Sequence, residues 1–305
     1  MVHEISVEQQ EYGGWKNCVR LSNGLIDLFA TTDVGPRIIR FGFIGKQNDL
    51  LENPDDLGTT GGDKFRVYGG HRIWHAPESH PRTYMPDNQP VGWTEVKNGI
   101  ILSQDEEPWT HIKKELEISL SPSTTEVQLR HRMINNSAWP IELAIWAITL
   151  MSPGGVQILP QGTRDTGVLP NRMICLWPYS KMNDERVCWG EKYITLTQDV
   201  NNYDRFKFGF LNQAGWAAYS NQEHLFVKQF THYSDAVYPD FHSASYEAFT
   251  SHYIMEMESL SPLRKIAPGE AVEHLETWKL YDSIPTPPSE AEITRLEQNL
   301  VLEKR

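Results

Sequence analysis

Apolar and polar residues alternate in short runs along most of the chain, and the runs end at clusters of Gly, Pro, Asn and Asp. The segment Lys114-Glu115-Leu116-Glu117-Ile118-Ser119-Leu120 shows the pattern best. Every second residue is apolar, the period of a strand with one face on a core and the other in water. Comparable runs predict strands at 18–21, 25–31, 37–44, 100–103, 111–120, 126–134, 141–150, 194–197, 216–220, 225–230, 252–259 and 272–281. The first two flank Ser22-Asn23-Gly24, whose Asn-Gly pair accepts the positive φ of a tight hairpin turn. Helical spacing is convincing only near the end. There Ser289-Glu290-Ala291-Glu292 follows Pro287-Pro288 and leads into Ile293, Leu296 and Leu300, which predicts a short C-terminal helix. So many short strands predict an all-β, antiparallel sandwich or barrel. The polar stretch 49–64 reads as a long loop, and with no repeat, low-complexity tract or linker a single domain over 1–305 is expected.

Charge narrows the partners. A formal net charge of −12 and a pI near 5.4 disfavour nucleic acid and anionic membranes, both of which need a basic face. A small neutral ligand fits better. Cys18, Cys175 and Cys188 are odd in number and scattered, which argues against a disulfide framework or a zinc cluster and for reduced thiols. With no apolar run of about 18 residues, the chain is expected to be soluble and cytoplasmic. Neither a Gly-x-Ser-x-Gly elbow nor a Gly-rich phosphate loop in strand–loop–helix context is present, so Gly13-Gly14, Gly61-Gly62 and Gly154-Gly155 read as turns.

The densest chemistry lies in Tyr68-Gly69-Gly70-His71-Arg72-Ile73-Trp74-His75-Ala76-Pro77-Glu78. Glycines permit close backbone approach, imidazoles exchange protons near neutrality, a guanidinium forks onto oxygens, and an indole offers an apolar face. Such a wall suits a sugar, whose C–H faces stack on indoles while its hydroxyls need donors and acceptors. His71, His75, Arg72, Trp74 and Glu78 are therefore candidate site residues, with Trp146 and Trp177 as further aromatic candidates. The dull alternatives are histidines that serve as structural hydrogen bonders, an Arg72 that pairs with Glu78, and tryptophans that fill the core. His71 and His75 share a face on a regular strand and could hold a metal with Glu78 or Glu258, but the pattern is not a helical zinc motif. Neither metal nor cofactor is expected.

A second cluster comprises Tyr253-Ile254-Met255-Glu256-Met257-Glu258-Ser259-Leu260-Ser261-Pro262, then Ile266-Ala267-Pro268-Gly269-Glu270, then Glu276-Thr277-Trp278. This section resembles the closing part of the galactose-mutarotase-like superfamily, which includes the aldose 1-epimerases. Asp33-Val34-Gly35-Pro36-Arg37-Ile38-Ile39 is similar to their opening strand, and Tyr68-Gly69-Gly70 stands where they carry His-Gly-Gly. The resemblance implies a β-supersandwich with a sugar cleft on a concave sheet. It implies that Glu258 is the general base at the anomeric hydroxyl, with Glu256, on the same face, as the alternative. One departure matters: those enzymes carry the ring-oxygen acid, a His, where this chain has Trp146, and indole cannot deliver that proton. Either His71 or His75 supplies it from the neighbouring loop, or the site binds sugar without opening the ring. The expected function is thus mutarotase-like Glu/His acid–base catalysis on a monosaccharide. The alternatives are a non-catalytic sugar-binding protein and a polysaccharide lyase or glycoside hydrolase on the same fold.

Overall fold

Alternation in the sequence becomes two antiparallel sheets in the computed structural model, which describes residues 4–301. In spatial order the larger sheet runs Ser6–Tyr12, Trp15–Ser22, Ile26–Thr31, Arg37–Phe43, His71–Ala76, Ile141–Met151, Met255–Leu260, Tyr246–Thr250, Phe206–Phe210 and Ile174–Leu176. Arg264–Ile266 pairs with the start of Ile141–Met151. The second sheet runs Val187–Trp189, Tyr193–Thr197, Val156–Pro160, Trp216–Asn221, His224–Phe230, Ala271–Tyr281, Val127–Asn135, Ile112–Leu120, Gly99–Ser103 and Gly92–Val96. This is the all-β antiparallel sandwich that the alternation predicts. The helix Glu290–Leu296 follows it, capped by Ser289, whose side chain accepts from the Glu292 amide. Ile293 packs on Ile158, Tyr193 and Trp216, the outer side of the second sheet. Among the described residues no helix is long and apolar enough to cross a membrane, and Cys18, Cys175 and Cys188 are all free.

The segment with His71 is a strand, not a loop. Gly69 and Gly70 open it at φ +100° and +65°, and a Cβ at either would lie about 2 Å from the carbonyl oxygen of Leu51 or Ile38. Only glycine lets the chain enter the sheet so closely. From there side chains alternate: Ile73 joins the core between the sheets, while Trp74 and Ala76 join a separate cluster on the outer face of the larger sheet. The strand Ile141–Met151 does the same, with Leu143, Ile145 and Met151 inward and Ala144, Trp146, Ile148 and Leu150 outward.

The interior between the sheets is not wholly apolar. Lys228, fully buried, lies 3.0 Å from Glu276 Oε1 and donates to the carbonyls of Met257 at 3.0 Å and Ala147 at 3.3 Å, which belong to the facing sheet. Glu276 accepts from Ser259 Oγ at 2.5 Å and Trp278 Nε1 at 2.8 Å. His131 Nδ1 faces the His274 carbonyl at 2.9 Å and must donate to it. Its Nε2 therefore accepts from His71 Nε2 at 2.7 Å, and His71 Nδ1 accepts from Thr149 Oγ1 at 2.9 Å. Burial holds His71, His131 and His274 below the ordinary imidazole range, His274 at about 3, although Glu276 pulls the other way. Burial alone would raise Glu276, but Lys228 and the imidazoles outweigh it and keep the carboxylate ionised.

Two outcomes follow from this network. Lys228→Met leaves a buried carboxylate without its cation and should cost about 3–5 kcal/mol in urea unfolding, whereas adding Glu276→Gln should restore part of the loss. Stability should also fall between pH 6.5 and 5. The unfolded imidazoles take up protons there and the buried ones do not, so each can remove up to about 1.4 kcal/mol per pH unit. A flat unfolding profile across that window would mean that the imidazoles protonate in place.

Candidate active site

Strand register assembles the chemistry on the outer face of the larger sheet. Ile148 lies opposite both Arg72 and Glu258, Glu258 lies opposite Glu247, and Glu247 lies opposite Gly209. One row on one face therefore carries an arginine and two carboxylates contributed by three strands. On one side of it runs the row Trp74–Trp146–Leu260, and on the other the row Leu150–Glu256–Phe249–Lys207. Gly209 leaves room for its neighbours: a Cβ there would lie 3.2 Å from Glu247 Cγ and 3.5 Å from the Trp177 ring.

Lys207 is the hub. Its Nζ lies 2.7 Å from Glu247 Oε2 and 2.8 Å from Glu258 Oε2, between the rings of Trp146 at 4.4 Å and Trp177 at 4.6 Å. Burial alone would lower Lys207, but the two carboxylates outweigh it and hold the ammonium charged. Trp146 Nε1 donates to the same Glu258 oxygen at 2.7 Å. Glu258 Oε1 and Arg72 Nε and Nη1 are buried and have no hydrogen-bond partner among the described residues. Arg72 reaches Glu256 Oε1 at 3.3 Å through Nη2, and its guanidinium lies over the rings of Trp74 at 4.1 Å and Phe65 at 4.9 Å. Tyr84 packs edge-on against Trp74 and Phe65 and donates to Glu78 at the rim.

Two of the carboxyls are displaced upward. Burial first, then Glu258, push Glu256 up to about 7, against Arg72 and Lys207. Burial, with Glu258 and Asp240 behind it, pushes Glu247 well above the usual range despite Lys207. Asp240, Phe241 and His242 all have positive φ, at 52°, 55° and 64°, a run that costs conformational energy beside this cluster. Asp240 and Phe241 border a cavity of about 220 Å3 that also touches Trp177 and Pro178.

The structure thus brings Arg72, Trp74, Trp146 and Trp177 together with Glu258, and places Glu78 at the rim. It does not bring His71 or His75 there. Both alternate inward: His71 joins the His131 network, and His75 lies 3.1 Å from Glu107, which pairs with Lys114 at 2.6 Å. The expected meeting of a loop imidazole with Glu258 is corrected by strand parity, since residues 71 and 75 occupy the face opposite Arg72. For the same reason the notional metal set of His71 and His75 with Glu78 or Glu258 is not assembled. Among the described residues, the grouping of metal-ligating type that does occur is His71, His131 and Glu276, with ligand atoms within 4.8 Å of one another, and there Lys228 already stands against the carboxylate. Arg72 pairs with Glu256 rather than Glu78, and Glu258 pairs with Lys207.

Sequence reasoning missed Lys207; Tyr238-Pro239-Asp240 followed by Glu247 reads equally as a site-lining loop or as turn residues, and Glu247 stands in the strand Tyr246–Thr250. For Lys207 a signal existed in Phe206-Lys207-Phe208-Gly209-Phe210, where a cation and a glycine alternate with three aromatics on a strand buried on both faces.

No protein-family model matches the chain, and no curated protein matches it in sequence. Solved structures match it in fold. A galactose mutarotase-like protein from Lactobacillus casei superposes with a TM-score of 0.56 at 9% identity, over 87% of this chain and all of its own. Another, from Clostridium acetobutylicum, gives 0.53 at 10% identity, over 92% of this chain and 99% of its own. A protein from Klebsiella pneumoniae, provisionally designated an aldose 1-epimerase, gives 0.62 at 12% identity, over 97% of this chain and 86% of its own. The fold is therefore galactose-mutarotase-like.

Removing the hub should be visible in stability. Lys207→Met leaves Glu247 and Glu258 facing each other without their cation and should cost about 3–5 kcal/mol near neutral pH. The Glu247 carboxyl left behind, pushed up by burial, binds its proton more tightly folded than unfolded. The deficit should therefore shrink as pH falls toward the ordinary carboxylate range and grow as it rises. Chemical denaturation at pH 5 and pH 8 checks this, and an equal deficit at both would exclude repulsion between the carboxyls as its cause.

Proposed function

We propose that the outer face of the larger sheet binds a monosaccharide and interconverts its anomers, with Glu258 as the base. The observation that carries this reading is the state of the Glu258 carboxylate. One oxygen is held by Trp146 and Lys207, and the other is buried and unpartnered, as are Nε and Nη1 of Arg72 in the same row of the sheet. Burying such groups unpaired is costly, and a ligand hydroxyl can satisfy both kinds. Trp146 then has a role that suits an indole: it orients the base and leaves proton delivery to another group. Trp74, backed by Phe65 and Tyr84, supplies an aromatic wall for the C–H face of a ring. The likeness of fold to galactose mutarotase-like proteins points the same way.

In this reading Glu258 takes the proton of the anomeric hydroxyl while a second group protonates the ring oxygen. The C1–O5 bond opens, C1 turns about the C1–C2 bond, and the ring closes on the other face. Arg72 fixes sugar hydroxyls through its free donors. Sugar binding without turnover is the second reading, favoured by the absence of His71 and His75 from this face.

Anomer exchange of D-galactose and D-glucose, followed by NMR saturation transfer, tests the proposal. Glu258→Gln should reduce exchange by at least about 10²-fold while changing sugar affinity by less than about tenfold. A wild-type protein that binds sugar yet gives no exchange above the buffer rate would leave only the binding reading.

A further inference from the structure

Ring opening needs a proton donor beside the base, and the usual imidazole is replaced here by Trp146. The donor must stand next to Glu258 on the same face, because the anomeric oxygen and the ring oxygen are both bonded to C1. Glu256 and Glu258 are two residues apart on the strand Met255–Leu260 and share its outer face. Their Cα atoms are therefore separated by about 7 Å, and two side chains of this length can converge on neighbouring oxygens of one ring.

We infer that Glu256 is the general acid of the site, so that two carboxyl groups at i and i+2 on one strand do the work of a carboxylate and an imidazole. This rests on the anomer-exchange reading above. Glu258 takes the proton from O1–H, and the O1–H electrons form the C1=O1 bond. The C1–O5 pair leaves to O5, which takes the proton of the Glu256 carboxyl. After rotation about C1–C2 the flow reverses. O5 attacks the other face of C1 and returns its proton to Glu256, and O1 takes back the proton held by Glu258. No proton is gained or lost, and no redox partner is needed.

Geometry separates Glu256 from its competitor. Glu247 is closed in by Lys207, Glu258 and Asp240, whereas the Glu256 side chain retains 13% of its exposure and so faces the open side of the cluster. Arg72, stacked on Trp74 and Phe65, stands 3.3 Å from Glu256 and is in place to stabilise the carboxylate left when the proton departs. The charged and titratable groups that face Glu256 are Arg72 across the sheet, Glu258 on its own strand, Lys207, Glu78 at the rim and Tyr253. Their balance with burial puts its proton near neutrality, where an acid is both loaded and able to donate.

The test compares wild-type protein with Glu256→Gln, Glu256→Asp and Glu258→Gln, using D-galactose and D-glucose for exchange and their methyl glycosides for binding. Wild-type exchange should lose rate above about pH 7 as Glu256 ionises. Glu256→Gln should lose at least about 10²-fold of the exchange together with the alkaline limb, while binding the methyl glycosides within about tenfold of wild type. Glu256→Asp should keep the limb and recover part of the rate. Wild-type activity without an alkaline limb, or a Glu256→Gln variant that exchanges anomers at more than half the wild-type rate, overturns the assignment. If Glu258→Gln has meanwhile lost its activity, the base and the proposed function survive that result. Wild-type protein without exchange overturns both. Should Glu256→Gln fail to fold, the wild-type pH profile and the Glu256→Asp rate still decide between donor and bystander.

Discussion

The buried pair Lys228–Glu276 is the constraint around which the molecule is arranged. Lys228 belongs to one sheet, yet two of its partners are carbonyls of Ala147 and Met257, in two adjacent strands of the other. A buried ammonium tolerates few positions, because any displacement leaves a charge without partners in a low-dielectric interior. The pair therefore ties the stacking of the sheets to one register, and Ser259, His274, His131, His71 and Thr149 extend the tie along the interface.

That tie lies directly behind the candidate site. Ser259 is the neighbour of Glu258, His71 of Arg72, and Thr149 of Ile148, so each polar anchor on the inner face holds a strand whose next residue faces outward into the site. The two faces are electrostatically different. Inside, one cation and one carboxylate are matched and the imidazoles stay neutral. Outside, Glu247, Glu256 and Glu258 outnumber Lys207 and Arg72, and burial with the mutual repulsion of the carboxyls raises Glu247 and Glu256. A sealed interior needs charge balance, whereas a site that moves protons needs groups that can carry either charge state.

Trp146 illustrates how a departure from a family pattern can be read physically. An indole cannot deliver a proton, but it can donate a hydrogen bond and present a π face. Here it does both, to Glu258 and to Lys207. In the proposed reading this position orients the base instead of transferring a proton, and the acid has to be another group on the same face.

Much of the fold was legible without coordinates. The alternation in 114–120, the Asn-Gly turn at 23–24 and the Ser289 cap reflect local rules of strand period, turn dihedrals and helix ends, and the structure has strands, a turn and a helix at those places. Strands such as Phe206–Phe210 and Tyr246–Thr250 escaped because they are buried on both faces and show little alternation. For the site, residue types in the segments around residues 72 and 258 indicated where chemistry was concentrated. They did not indicate which side chains meet. A one-residue difference in parity sends His71 inward and Arg72 outward, and Lys207 and Glu247 reach Glu258 only through the pairing of strands distant in sequence. Composition and period are properties of a segment, which the sequence determines alone, whereas register between strands is set by the packing of both sheets, and only the tertiary structure decides it.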